Sequence, residues 1–461
     1  VLPGEEWLAG ARDGPEIICS FQSPSYFGDV QHLSIRNLVF RRITRRTAMP
    51  SFSIALTGLE ANSVALNTIG NNLANLNTTA YKEQTTSFAN LFYQNIGTTG
   101  ANDPLQVGLG TRVAGTDTDF TQGSFTTTTD STDLALSGSG FFVVNQDGVQ
   151  SLTRAGNFQL DNSGDLITSG GQNVMGYAAV NGTISPNASL VALTVPVGAT
   201  EPAQPTQNFS LTANLDSASP NGAVFTSPIT MYDSLGTSHV ATVTFTNVST
   251  ASTPNAWSYA ITLPAGDATG TPVNNTGTLQ FNASGGLLSP TGNLSGISFP
   301  GMADGANTMN LNWNLYSAKG NSLVDQSNAP SAVTTTTQDG FASGSYLSFA
   351  VAASGMISAE YSNGETQNVG ELAVASVTNL QGLTQVGGNN YQTTISSGTA
   401  SLGLAGTGGR GSIEDDTLEQ SNVDISGEFA NLIVAQRAFE ANSKTVTTFD
   451  TVTQETINMI H

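Results

Sequence analysis

Two stretches at opposite ends of the chain carry helical patterning, and the long interval between them reads as strand after short strand. Residues 51–77 set Phe52, Leu59, Leu66 and Leu73 seven apart, with Ile69 and Leu76 filling the same stripe. Residues 424–460 repeat the pattern with Ile425, Leu432, Phe439, Val446 and Ile460, Thr453 being its polar member. Spacing of this kind over several turns favours a coiled-coil seam. Ser51 or Ser53 is a suitable N-cap for the first helix, and Asp424 or Ser426 for the second. Gly58 inside the first costs about 1 kcal/mol, so packing must hold it. Isolated helices of such composition are marginal in water. Two seams so far apart therefore imply a chain closed on itself, or one that joins a polymer through its ends.

Composition narrows the choices. Charged residues make up 10% of the 461 and the net charge is −21, against about 25% charged residues in ordinary globular chains. That balance gives no electrostatic reason to bind nucleic acid or an anionic membrane surface. Abundant Gly, Thr and Ser favour short strands and turns. No run of apolar residues is long enough to span a bilayer, and residues 1–10 lack the pattern of a secretory signal. Cys19 is the single cysteine, so no disulfide framework is available. Residues 1–48 differ from the rest. They hold six of the thirteen basic residues, Cys19, Trp7 and His32. They read as a non-native upstream extension, with Met49 as the natural start; a genuine basic leader is the alternative.

The middle of the chain suggests nested domains. Residues 79–133 read as an extended connector broken by turn clusters. Residues 134–205 and 336–411 read as one discontinuous inner β-domain, with hairpin turns at Asn145–Gly148 and Asp161–Gly164. Residues 206–335 read as an inserted outer β-domain of sandwich or barrel type. The expected fold is mainly β with terminal α-helices: a coiled-coil helix from 49–78, a linker and second coiled-coil helix in 412–461, and two nested β-rich domains.

Catalytic chemistry is hard to find. His32, His239 and His461 are scattered, and no Cys/His cluster can hold a metal. His239 reads as a strand-surface residue. The GxGxxG at Gly406–Gly411 lacks a βαβ setting and reads as a flexible hinge. Asp415-Asp416 lacks a calcium-loop pattern and reads as a solvated turn. Met309, Trp313 and Tyr316 read as β-core. No cofactor is expected, and the chain does not read as an enzyme.

The termini also carry motifs. The segment 56–92 holds Gly58-Leu59, then Ile69-Gly70-Asn71-Asn72-Leu73-Ala74-Asn75, then Ala80-Tyr81-Lys82. It resembles the N-terminal signature of the bacterial flagellar rod and hook family, with Ala80-Tyr81 in place of the usual Gly-Phe. The segment 418–446 is similar to the C-terminal signature, through Asn422, Asp424, Gln436, Arg437 and Asn442. SGSGFFVV (137–144) with Thr153–Phe158 resembles the shared β-domain motif. Ala155 stands where that motif usually has Asp, so any salt link of that acid should be missing. The inserted block, and Ser227–His239 within it, resemble the hook branch rather than the shorter rod branch.

The resemblance implies export through the flagellar type III apparatus without a cleaved signal. It implies polymerisation into a curved extracellular tube that carries torque from motor to filament. The implied partners are further copies of the chain, the hook cap, the distal rod and the hook–filament junction proteins, with no nucleic acid and no membrane insertion. A stiff distal-rod-like protein is the alternative, and a secreted β-rich adhesin a more distant one.

Overall fold

A computed structural model describes residues 50–460 apart from Asn102 and Asn181, and leaves aside the side chains of Pro50, Ser51 and Ile460. The expected upstream extension, with Cys19 and His32, lies outside the described residues, as do His461 and the expected seam role of Ile460.

Helix α1 spans Pro50–Ala74 and helix α2 spans Ile425–Ile460. Asp424 caps α2. Its Oδ1 accepts the Ser426 N–H at 3.0 Å, and its carbonyl accepts the Glu428 N–H at 2.9 Å. The helices pack on each other in antiparallel sense. Gly58, in the first half of α1, meets the side chain of Asn442 at the middle of α2, while Glu428 at the start of α2 lies beside the segment that follows α1. Residues 451–459 of α2 are all exposed.

Where sequence suggested a connector over 79–133, the chain builds a long hairpin. Strand Gln84–Asn90 pairs with Thr111–Thr118, and Tyr93–Thr98 pairs with Pro104–Gly108 nested inside it. The turn residues that hid these strands form the breaks between them. The hairpin lies along α1: Thr86 Oγ1 is 3.0 Å from Thr68 Oγ1, and the Thr111 N–H donates to Thr57 Oγ1 at 3.3 Å.

The main sheet joins two distant pieces of sequence. Strands Phe141–Gln146 and Asn173–Val180 both pair with Thr366–Ser376, and Val149–Thr153 pairs with Asn390–Gln392. The turn at Asn145–Gly148 holds Asp147 at φ 53° and Gly148 at φ 85°, the left-handed pair that a two-residue hairpin needs. Phe142, Val144, Phe158, Ile357, Leu372 and Val374 fill one face.

Between those pieces lie two five-stranded sheets. One is the antiparallel run Val224–Tyr232, Ser238–Asn247, Ala256–Thr262, Thr276–Phe281 and Leu287–Ser289. The other gathers Leu294–Phe299, Met309–Asn314, Asn208–Asp216, Val324–Ser327 and Ala332–Gln338. Burial alternates along the strands, so each sheet has one apolar face, and the faces share a single core. Trp313 sits at its centre. Phe209 stacks on it at 5.7 Å from the same sheet, while Tyr259 and Phe245 reach it from the opposing sheet at 5.2 and 6.0 Å. Met309 is buried with it, and Tyr316 is half-buried at the rim.

Two sequence expectations need correction. Gly406–Gly411 is a closed turn rather than a hinge: the Gly406 N–H donates to the Gly411 carbonyl, and the Arg410 guanidinium folds back onto Ser401 and Leu402. Further strands, Ser412–Asp415 and Thr417–Glu419, separate it from α2. His239 is not a strand-surface residue. It is 6% exposed and ringed by carboxylates, because its alternation in strand Ser238–Asn247 points it inward.

Replacing Trp313 by Ala should destabilise the inserted sandwich by about 3–5 kcal/mol. Denaturation followed by near-UV circular dichroism should show its transition moving while that of the main sheet stays. Equal movement of both would contradict separate packing of the two cores.

Candidate functional site at the root of the terminal helices

The seam between α1 and α2 is lined by small and polar residues. In α1 the buried side, shared between α2 and the hairpin, is Ala55, Gly58, Ala61, Ala65, Thr68, Ile69 and Asn72, and in α2 it includes Glu428 and Ala435. Seven-residue spacing is present, as Gly58–Ala65–Asn72 and Glu428–Ala435–Asn442, but in a different phase from the leucine stripe. The reason is steric. A Cβ on Gly58 would come within 2.9 Å of the Asn442 amide, so only a small residue allows that approach. The large apolar side chains stand on the flanks. Phe52 is 46% exposed, Ile425 44% and Phe439 37%. Leu59, Leu66, Leu73, Leu76, Leu432 and Val446 are half-buried, and of the expected stripe Ile69 is buried.

Below the seam, the segment leaving α1 and the segment entering α2 are fastened together. The buried Asn72 amide acts as a splint. Its Oδ1 accepts the Gln84 N–H at 3.0 Å and the Tyr81 hydroxyl at 3.1 Å, and its Nδ2 donates to the Gln84 carbonyl at 2.8 Å. Asn71 Nδ2 donates to the same hydroxyl at 3.0 Å. From the other terminus, Asn422 Oδ1 accepts the Glu83 N–H at 2.7 Å, and its Nδ2 donates to the carbonyls of Asp119 and Thr121. The Ala80 N–H donates to the Glu419 carbonyl at 2.8 Å.

The centre of this root is ionic. Lys82 and Glu419 have fully buried side chains, with Nζ 2.6 Å from Oε1. Nζ also donates to the Thr121 carbonyl at 2.7 Å, and the Gly123 N–H donates to the same Oε1 at 2.9 Å. Arg154 approaches Glu419 Oε2 at 3.6 Å, beyond hydrogen-bond reach but close enough for strong attraction across a dry interior. Its guanidinium donates to the carbonyls of Leu136 and Gly138 at 3.0 and 2.6 Å and lies 5.5 Å from the Phe141 ring centroid. Burial holds the Lys82 ammonium below the usual lysine range, and the Glu419 carboxylate works against that fall. Nearby, burial and then the neighbouring Glu428 carboxylate push the Glu83 carboxyl up. The arrangement positions chain segments and offers no nucleophile–base pair.

Four family models match the chain in order. They are the flagella basal body rod protein model over residues 52–82, the flagellar hook protein FlgE/F/G D1 domain over 135–203, the flagellar basal body protein FlaE D2 domain over 199–341, and the flagellar basal body rod FlgEFG protein C-terminal model over 415–459. The flagellar hook protein FlgE of Escherichia coli is 32% identical, covering 89% of this chain and 100% of its own length. The chain belongs to the flagellar hook protein FlgE family. The FlgE of Treponema pallidum is 31% identical over 89% of this chain and 99% of its own. Among solved structures, Helicobacter pylori FlgE2 aligns with a TM-score of 0.48 at 16% identity, over 64% of this chain and 100% of that one. The FlgE-family chain is a structural protein of the extracellular flagellar hook and not an enzyme.

The signature residues of this FlgE-family chain separate by role. Asn71, Asn72, Lys82 and Asn422 meet at the root, Asp424 caps α2, and Gly58 and Asn442 meet in the seam. Asn75 closes the end of α1, accepting from Thr78 Oγ1 at 3.0 Å. Gly70, Gln436 and Arg437 are exposed, and among the described residues Arg437 pairs with Glu440 on its own helix. Glu419 and Arg154 were not singled out as site residues. Ala155 does lack a carboxylate, yet the cation beside it is still paired, through Glu419.

Ala80 is fully buried at φ 53°, a left-handed conformation that costs a non-glycine residue about 1–2 kcal/mol. The family's usual Gly would carry no such strain. Ala80→Gly should therefore stabilise the chain by about 1 kcal/mol, read as a raised midpoint of the helical signal at 222 nm on urea denaturation. A lowered midpoint would contradict the assigned strain.

Proposed function

We propose that this chain polymerises through its terminal helices into the tube of the flagellar hook, and that the tube is a flexible joint carrying torque from motor and rod to filament. One observation carries the reading. The seam within the chain uses small residues, which leaves Phe52, Leu56 and Val64 of α1 and Ile425, Phe429, Ile433, Val434 and Phe439 of α2 exposed. Val434 is 68% exposed. Clusters of this kind on a soluble chain mark interaction surfaces, and burying one such side chain is worth about 1.5–3 kcal/mol. Copies of the same helices are suitable occupants, since every subunit presents the same faces. The stripe of Leu59, Leu66, Leu73, Leu432 and Val446, half-buried in one chain, would be completed by neighbours.

The β-domains would form the outer layers. Their sparsely charged, hydroxyl-rich surface suits contacts that break and reform as the joint turns, because few ions must be desolvated. The proposed further partners are the hook cap, the distal rod, the hook–filament junction proteins and the type III export apparatus.

A chain with Phe429→Ser, Ile433→Ser and Val434→Ser tests this in cells lacking the native gene. The purified variant should keep its β-sheet circular dichroism. Electron microscopy should show basal bodies without hooks, and motility should be lost. Hooks of normal length would overturn the reading.

A further inference from the structure

Four ionisable side chains converge at one end of the inserted sandwich, far in sequence from the helical root. His239 lies in strand Ser238–Asn247, Asp233 in the turn just before it, and Asp267 and Asp304 in two loops across from them. His239 Nε2 is 3.0 Å from Asp233 Oδ2 and 4.0 Å from Asp304 Oδ2. Its Nδ1 is 2.8 Å from Asp267 Oδ2. The ring is 6% exposed, the Asp233 side chain 0%, and those of Asp267 and Asp304 29% each, so the group is walled in yet open on one side.

The backbone aims these groups. Asp233 Oδ1 accepts the N–H groups of Leu235 and Thr237 at 2.8 and 2.9 Å, and Asp304 Oδ1 accepts the Ala306 N–H at 3.1 Å. Each carboxylate thus has one oxygen anchored and the other turned toward Nε2. The loops are tied as well, the Ala303 N–H donating to the Asp267 carbonyl at 2.9 Å.

We propose that Asp233, His239 and Asp304 bind a divalent transition ion of the zinc type, with Asp267 orienting the imidazole. The three donor atoms lie within 4.8 Å of one another. Zinc bonds of about 2.0–2.2 Å imply a tetrahedral edge of roughly 3.3 Å, and the separations of 3.0 and 4.0 Å fall on either side of it. Closing the geometry takes a shift of about 0.7 Å at Asp304, on an exposed loop, and an opening of about 0.3 Å between His239 and Asp233. A carboxylate on the far ring nitrogen is the usual outer partner of a metal-bound histidine. An imidazole with two carboxylate oxygens suits zinc better than calcium, which takes six to eight oxygens. The fourth position faces solvent and would hold water.

The site has a place in the architecture. Gly236, in the turn begun by Asp233, packs against Ala203 and against the backbone of Ala342 and Ser343. Those residues belong to the two strands of chain that enter and leave the inserted sandwich. An ion here would fasten the turn that abuts this neck and stiffen the sandwich against the main sheet.

Equilibrium dialysis of the full chain against Zn²⁺, after removal of metal by chelation, tests the proposal. One ion should bind per chain with micromolar or tighter affinity. His239→Gln and Asp304→Asn should each weaken it about tenfold or more, and Asp267→Asn about tenfold. Bound Zn²⁺ should also raise the unfolding midpoint of the inserted sandwich in the parent chain and not in Asp304→Asn. Cys19, His32 and His461 remain in every variant, so binding elsewhere would survive the substitutions. Absence of binding at about 100 μM, or equal binding by parent and Asp304→Asn, would overturn the proposal. Unchanged circular dichroism of Asp304→Asn secures the comparison.

Discussion

A lysine ammonium and a glutamate carboxylate, 2.6 Å apart and sealed from water, join positions 337 residues apart in sequence. Removing two such ions from water costs several kcal/mol each, and their attraction offsets that only when the remaining hydrogen bonds are made. Here Thr121 and Gly123 supply one each, to Lys82 Nζ and Glu419 Oε1, while the second Glu419 oxygen makes no hydrogen bond and is met only by the Arg154 charge at 3.6 Å. Neither ion can be buried alone. The segment leaving α1 and the segment entering α2 therefore dock together or not at all. Antiparallel helix packing, the Asn72 and Asn422 splints and the attachment of both helices to the β body follow from that docking.

The terminal helices divide their surfaces between two tasks. The side turned inward is built mainly from Ala, Gly, Asn and Thr, with Ile69 and Glu428 beside them, which lets the backbones approach through Gly58 and Asn442. The large side chains that would make a conventional seam are held outward. On the proposed reading, a chain built this way keeps its own fold while leaving these exposed faces for other copies. The inserted sandwich packs a core of its own that includes Trp313, and has its own polar cluster at the neck.

Much of this is legible in the amino-acid sequence. The helices, the β-rich middle and the buried role of Trp313 come from periodicity and alternation, which report directly on which faces are covered. The seven-residue spacing was also legible, but its phase was not. Leucines attract attention in a periodicity search, whereas Gly58, Ala65 and Ala435 act by being small, which carries no hydrophobic signal. Lys82 stood out through resemblance alone. Its partner did not, because Glu419 sits in the acidic stretch Glu414–Glu419 and looks like any solvated acid until the fold brings residues 82 and 419 together. His239 was misjudged for a related reason: its three carboxylates come from separate loops. The hairpin at 84–118 was missed because turn residues interrupt every strand after a few positions.

The central claim is that the Lys82–Glu419 pair governs the docking of both termini. A double-mutant cycle with Lys82→Met and Glu419→Gln tests it most directly, using urea denaturation of the full chain followed by the helical signal at 222 nm. Each single change should cost about 3–5 kcal/mol, since it strands a buried charge. The double change should cost far less than their sum, with a coupling of about 3 kcal/mol. Additive losses with coupling under about 0.5 kcal/mol would contradict the account.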